Sequence, residues 1–131
     1  MPLRVRVFKE QRLVLATGFG KVSDADMFHY QQEIWTRREV AGFDEIVDMT
    51  QAEDFDKPTP ERLQELADLS AGQDPPTMSP RLAIVATDEL AFVLGQIYGA
   101  YREMHPLNTK QVEVFRTLEE ALRFLGIGEL D

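Results

Sequence analysis

The sequence predicts an α/β protein in which one mixed sheet of about five strands is covered by four helices. Three observations support this fold class. Short apolar runs alternate with amphipathic segments, capping residues stand where strands pass into helices, and residues 82–86 are apolar at every position. Such a strand suits the interior of a parallel sheet that helices cover on both sides. Because 131 residues can bury a substantial core, we assign residues 1–131 to a single domain.

The N-terminal segment predicts an antiparallel hairpin. Leu3, Val5 and Val7 recur with the period of two that marks a half-buried strand. The segment 12–20, RLVLATGFG, resumes the strand pattern after a short connection. We therefore expect two paired strands at one edge of the sheet.

The middle of the chain predicts a helix, a strand and a second helix. Ser23 is a good N-cap for a first helix that we expect to reach about Arg38. The next strand is 43–49, FDEIVDM, and the polar segment 50–58 is interpreted as a loop. Thr59, followed by a proline at the first helical position, opens the second helix.

The last third predicts strand, helix, strand and helix. Asp88 caps the third helix, and Thr117 with Glu120 forms a capping box that opens the fourth. The main apolar stripe of the third helix is placed at Leu90, Leu94, Ile97, Tyr98 and Tyr101. The resulting order, β-β-α-β-α-β-α-β-α, implies parallel strands after the hairpin, joined by right-handed crossovers.

Composition excludes several classes of function. The absence of cysteine removes disulfides, iron–sulfur clusters and thiol nucleophiles. The net charge is −9, and residues 43–70 alone contribute −7, so the field opposes nucleic-acid binding and we expect none. No signal peptide and no apolar run long enough for a membrane span are found, and we expect a cytoplasmic protein.

No metal or cofactor motif stands out. A calcium loop starting at Asp48 would need glycine at its sixth position, where Glu53 stands. We therefore favour a solvated acidic loop over a metal site, and expect no cofactor. His29 and Glu33 are four residues apart on the first helix and are interpreted as a surface pair.

Four polar residues are expected at the carboxyl ends of the strands, where open parallel sheets bind their ligands. They are Asp48, Thr50, Thr87 and Asp88. For Asp88, simple helix capping is the competing interpretation.

The third helix carries more apolar residues than one packing face requires. Phe92 adds to the main stripe, and Gly95 and Gly99 are spaced for close approach of another backbone or a ligand. Three interpretations remain open for this helix: burial against the sheet, a homodimer interface, or an apolar-ligand pocket. Tyr98 fits any of the three.

The chain resembles the SpoIIAA-like family of small bacterial proteins, which share the fold of STAS domains and are related to Sec14-type lipid-binding domains. The resemblance is carried by Gly20–Ser23, Asp48, and the segments 81–101 and 112–126. It implies a STAS-like sheet and a binding or regulatory role.

Two positions depart from that pattern. STAS antagonists carry an Asp-Ser-(Ser/Thr)-Gly phosphoacceptor motif, whereas residues 48–63 here read DMTQAEDFDKPTPERL. Gln96 stands where the SpoIIAA-like pattern has an arginine. Neither the phosphoacceptor serine nor a role for that arginine transfers to this chain.

The sequence thus predicts a non-enzymatic module that recognises a protein partner or an apolar, lipid-like ligand, and that forms a homodimer. The surface we expect to carry this function consists of Asp48, Thr50, Thr87, Asp88, Phe92, Gln96, Tyr98 and Gly99. The alternative is a small enzyme of unrecognised type that uses Asp48, Asp88 and His29. An enzyme would bring at least two groups with perturbed pKa values into one pocket.

Overall fold

The computed structural model describes residues 2–55 and 57–131. Within these ranges the chain forms seven strands and four α-helices. The elements are β1 Leu3–Phe8, β2 Leu13–Gly18, β3 Gly20–Val22, α1 Asp24–Ile34, β4 Asp44–Asp48, β5 Ala52–Phe55, α2 Pro60–Ala71, β6 Arg81–Val85, α3 Glu89–Met104, β7 Gln111–Phe115 and α4 Leu118–Leu125.

The main sheet has five strands in the order β1-β2-β4-β6-β7. Only β1 and β2 are antiparallel, and every other neighbouring pair is parallel. This confirms the predicted mixed sheet with its N-terminal hairpin and four helices. Asp48 at the end of β4 is in register with Val85 at the end of β6, so the carboxyl ends of these strands share one edge.

Two apolar layers cover the two faces of this sheet. Helices α1, α2 and α3 pack on one face, and α4 packs on the other. The alternation of side chains along β4 feeds both layers, because Val47 points to the three-helix side and Ile46 to the α4 side. The interior strands are therefore apolar on both faces, as predicted for 82–86.

The helix caps follow the sequence prediction. The side chains of Ser23, Thr59 and Thr117 each accept a hydrogen bond from a backbone N–H in the first turn of their helices. Gly126 ends α4 with φ of 72°, a left-handed conformation that favours glycine.

The prediction that the first helix reaches Arg38 is wrong. Helix α1 ends at Ile34, and a 3-10 turn at Arg38–Val40 follows. The shorter helix lets the indole of Trp35 reach back to Glu45, and it brings Val40 into the core with 1% exposure.

The interpretation of 50–58 as a loop is also wrong in part. Residues Ala52–Phe55 form β5, which pairs in parallel with β3 as a separate two-stranded sheet. The pairing joins two short segments that are distant in sequence, so no local periodicity of the sequence predicts it. Asp56 in this acidic segment lies outside the described residues.

The stripe assigned to the third helix is wrong in part, since Tyr98 is buried and Leu94 and Tyr101 pack against the core, but Leu90 and Ile97 do not. The residues that α3 buries are Ala91, Gly95, Tyr98 and Arg102, whereas Leu90 and Ile97 are each 39% exposed. Small residues face the sheet because the helix lies close to it. A Cβ on Gly95 would stand 3.2 Å from Val114 Cγ2.

Candidate functional site

An apolar cavity of about 130 Å³ lies between the sheet and the three helices on its first face. Strands β4 and β6 form its floor, and α1, α2 and α3 form its walls. Its apolar lining comprises Val22, Met27, Phe28, Val47, Met49, Pro58, Leu63, Leu66, Leu82, Ile84, Ala91, Leu94, Gly95 and Tyr98.

The open side of the cavity is bridged by an ion pair between two helices. Arg62 Nε on α2 donates to Asp24 Oδ2 on α1 across 2.9 Å, and both side chains are partly exposed. The Arg62 guanidinium also lies 4.1 Å from the ring centroid of Phe28. The hydrogen bond from Arg62 lowers the pKa of Asp24 below its ordinary value of 3.8. The entrance is therefore polar and the interior apolar.

A buried polar network lies at the inner end of the cavity. Glu45, only 1% exposed, accepts hydrogen bonds from Tyr30 Oη at 2.6 Å, Trp35 Nε1 at 3.1 Å and Lys110 Nζ at 2.9 Å. The ammonium of Lys110 also lies 3.8 Å from the centroid of the Trp35 ring. Burial, reinforced by the charge of Glu45, raises the pKa of Tyr30 well above its usual 10.0, so its phenol stays a neutral donor.

Tyr98 lines the cavity wall and is a core residue. Its hydroxyl shares a hydrogen bond of 2.7 Å with Ser70 Oγ on α2. Burial raises the pKa of Tyr98 to about 12. Of the four α3 residues predicted for the site, Tyr98 alone lines this cavity.

A second cavity of about 140 Å³ lies at the amino ends of the strands. Gln31 lines both cavities. Its lining mixes apolar residues with Gln31, Ser70, Gln73 and Lys110, and the buried Gln73 Oε1 has no protein partner. Such a space suits ordered water. Its lining consists of Gln31, Trp35, Ala41, Gly42, Phe43, Ser70, Gln73, Pro75, Pro80 and Lys110.

The four polar residues predicted at the strand ends do lie at that edge, and each takes part in a hydrogen bond within the protein. Asp48 Oδ1 accepts hydrogen bonds from the backbone N–H and the hydroxyl of Thr50, at 2.9 and 2.7 Å. Asp88 caps α3 by accepting from Ala91 N at 3.0 Å. The carbonyl of Thr87 accepts from Arg116 Nη1 at 3.3 Å. None of these four residues lines the apolar cavity.

The other α3 residues predicted for the site point away from the cavity. Phe92 lies beneath Arg116, whose guanidinium is 3.7 Å from the ring centroid. Gly99 packs against Val112, and Gln96 is exposed. The Gly95–Gly99 spacing thus serves packing on the sheet.

Each of the two histidines lies next to one acidic residue. His29 pairs with Glu33 at 3.4 Å on the exposed side of α1, as predicted. His105 Nε2 lies 3.8 Å from Asp68 Oδ1. Among residues 2–55 and 57–131, no group of three or more His, Asp or Glu side chains could hold a metal ion. No helix of this described part is long and apolar enough to cross a membrane.

Sequence reasoning missed the residues that give the cavity its polar ends. No local pattern marks Arg62 on the predicted second helix, or Lys110 before the last strand. One signal was present: Glu45 stands directly before the apolar pair of the FDEIVDM strand. A carboxylate in a strand that is buried on both faces requires buried donors.

The fold is SpoIIAA-like. One solved structure that matches is an uncharacterized protein of the DUF3478 family with a SpoIIAA-like fold, from Shewanella loihica PV-4. The match has a TM-score of 0.57 at 13% sequence identity and covers 94% of this chain and 91% of that one. At the level of fold, this confirms the resemblance predicted from the sequence. No protein-family model matches the chain, and no curated protein matches it.

Proposed function

We propose that this protein is a non-enzymatic binding module whose ligand is a small apolar molecule held in the cavity between the sheet and α1, α2 and α3. The observation that carries the proposal is the cavity itself, about 130 Å³ of space with an almost wholly apolar lining. Well-packed cores rarely contain voids of this size. Concave apolar sites with a few polar groups are typical of ligand pockets.

The volume suggests the size of the ligand. An apolar cavity of about 150 Å³ in another protein stays dry and binds benzene. A single ring or a short branched alkyl group therefore matches the volume of this cavity. A longer chain would have to emerge past Arg62 and Asp24 at the open side.

The state of the polar groups supports binding over catalysis. Glu45 is engaged by three donors, and Asp24 by Arg62. Asp24 and Tyr98 both line the cavity with shifted pKa values, but each shift has a structural cause: the hydrogen bond from Arg62 lowers the pKa of Asp24, and burial raises that of Tyr98 to about 12.

The alternative enzyme would rely on Asp48, Asp88 and His29. Asp48 is hydrogen-bonded to Thr50, Asp88 caps α3, and His29 forms a surface pair with Glu33.

Binding can be tested with benzene and toluene as probes. We expect addition of toluene to shift the backbone amide resonances of α1, α2 and α3 in heteronuclear NMR spectra, and to raise the melting temperature. Ala91→Leu places a larger side chain in the cavity and should abolish these shifts without loss of stability, because filled voids stabilise. Measurement of both properties on one sample separates loss of binding from loss of folding.

Ala25→Leu is the matched control, because Ala25 is exposed on α1 and lies outside the cavity lining. This variant should bind toluene as the unmodified protein does. Amide shifts that survive Ala91→Leu, or that are absent from the unmodified protein, would refute the assignment of the cavity as a ligand site.

A further inference from the structure

The outward face of α3 carries a regular apolar stripe. Leu90, Val93, Ile97, Ala100 and Met104 follow one another at intervals of three and four residues over the whole helix. All five are exposed, and Val93 is 42% and Met104 78% accessible. This is the spacing of the seam by which two helices pack knobs into holes.

The fold itself does not explain this stripe. The opposite side of α3 already packs on β6 and β7 through Ala91, Gly95 and Gly99, and no described element covers the outward side. Single exposed apolar residues are ordinary on protein surfaces, but a continuous stripe along four turns marks an interaction site.

We propose that the outward face of α3 binds a second copy of this chain, with the two α3 helices packed antiparallel about a two-fold axis at Ile97. This pairing sets the long side chain of Leu90 against Met104 of the second copy. It also sets Val93 against the small Ala100. Ile97 meets its own counterpart at the axis. The stripe is therefore complementary to itself, as a two-fold interface requires.

The carboxylates beside the stripe need a counter-charge in this arrangement, and Arg116 is placed to supply it. Glu89, Gln96 and Glu103 follow one flank at seven-residue intervals. In the antiparallel pair, the two Gln96 side chains meet at the axis, and Glu103 of one copy approaches Glu89 of the other. Glu89 is bound to Arg116 at 3.0 Å, so a guanidinium is already in place to receive the second carboxylate. Charges at such flanking positions set the orientation of paired helices.

The seam is short, because a helix of 16 residues is about 24 Å long. An interface built on one helix pair falls at the low end of stable interfaces. We therefore expect a dimer in reversible equilibrium with its monomer, whose population depends on protein concentration.

Analytical ultracentrifugation over a roughly hundredfold range of concentration tests this proposal. The unmodified protein should pass from monomer to dimer, and Ile97→Glu should remain monomeric at every concentration. Met104→Glu, at the most exposed position of the stripe, serves if Ile97→Glu does not fold. Gln32→Glu adds the same charge to the exposed side of α1 and should dimerise normally.

A charge exchange tests the orientation of the pair. In Arg116→Glu, three carboxylates come together at each end of the seam: Glu89 and the new side chain at position 116 of one copy, and Glu103 of the other. Their repulsion should weaken the dimer at least tenfold. Adding Glu103→Arg to that variant should restore dimerisation, which a purely local role of Arg116 does not predict. An unmodified protein that is monomeric at all concentrations overturns the proposal, as does a dimer that survives both stripe variants. Failure of the exchange to restore the dimer overturns the antiparallel orientation. These results are independent of toluene binding, because none of the five stripe residues lines the cavity.

Discussion

At the scale of single residues, Tyr98 shows how burial defines chemical character. Its ring lines the apolar cavity, and its hydroxyl finds one partner, Ser70 on the neighbouring helix. Because the phenolate would be desolvated, the neutral form is favoured and the pKa rises to about 12. The residue therefore supplies shape and one hydrogen bond to the cavity wall.

This raised pKa predicts alkaline instability. A pKa that is 10.0 in the unfolded chain and about 12 in the folded one leaves the contribution of Tyr98 intact below pH 10. The contribution is lost as pH rises from 10 to 12, because the unfolded chain ionises first. Urea unfolding measured from pH 8 to 12 should show this loss, and Tyr98→Phe should make it smaller.

Tyr98→Phe should also cost about 1 kcal/mol at pH 7, the typical value of a lost hydrogen bond. Tyr30 remains in that variant, so part of the alkaline loss persists. An alkaline loss as large in Tyr98→Phe as in the unmodified protein would contradict the assignment to Tyr98.

At the scale of the element, three sides of α3 lie in three different environments. Its small residues lie on the sheet, Leu94 and Tyr98 face the cavity, and the stripe from Leu90 to Met104 faces outward. Gly95 and Gly99 are unfavourable for an isolated helix. They are accommodated here because β6 and β7 lie too close for larger side chains.

Gly95→Ala and Gly99→Ala should therefore differ in stability. Alanine in a helix interior is favoured over glycine by about 1 kcal/mol. A Cβ on Gly95 would meet Val114 at 3.2 Å and Ile84 at 3.3 Å. These two residues are paired on the neighbouring strands β7 and β6, so neither can easily move away. A Cβ on Gly99 would meet Val112 at 3.2 Å, on the edge strand β7 alone.

We expect Gly95→Ala to destabilise the protein in spite of its helix propensity, and Gly99→Ala to be the more stable of the two variants. Chemical denaturation of both variants measures the difference. Equal stabilisation by the two substitutions would mean that the close approach of α3 to the sheet does not constrain residue 95.

At the scale of the whole molecule, one buried ion pair joins distant parts of the chain. Glu45 on β4 and Lys110, just before β7, are 65 residues apart in sequence and 2.9 Å apart in space. Tyr30 and Trp35 bring the region of α1 to the same carboxylate. The network therefore depends on correct assembly of the sheet and the first helix.

Removal of one partner should be costly. Lys110→Met leaves Glu45 buried without its counter-charge and should reduce the free energy of unfolding by about 3–5 kcal/mol. The double variant Glu45→Gln with Lys110→Met keeps an acceptor for Tyr30 and should regain more than half of that loss. Lys9→Met, at an exposed position, is the control and should change stability little. A mild effect of Lys110→Met would mean that water satisfies Glu45.

Local patterns in the sequence determined much of the fold. The alternation in β1, the fully apolar β6, the capping residues Ser23 and Thr117, and the αL glycine at 126 each act within a few residues. Period, propensity and caps are short-range properties, so one chain is enough to predict them. The five-stranded mixed sheet with four helices followed from them.

Only the tertiary structure decided which side of each helix faces the sheet, the cavity or solvent. It therefore decided where the candidate site lies. The buried side of α3 is set by its distance to β6 and β7, not by the hydrophobicity of its residues, so Leu90 and Ile97 face outward while Gly95 is buried. Likewise, the contacts of Glu45 with Lys110 and of Asp24 with Arg62 join residues 65 and 38 positions apart. Such contacts depend on how the elements pack, which no local period encodes. Local patterns thus determined most elements of this protein, whereas packing decided the end of α1, the pairing of β5, the cavity and the outward side of α3.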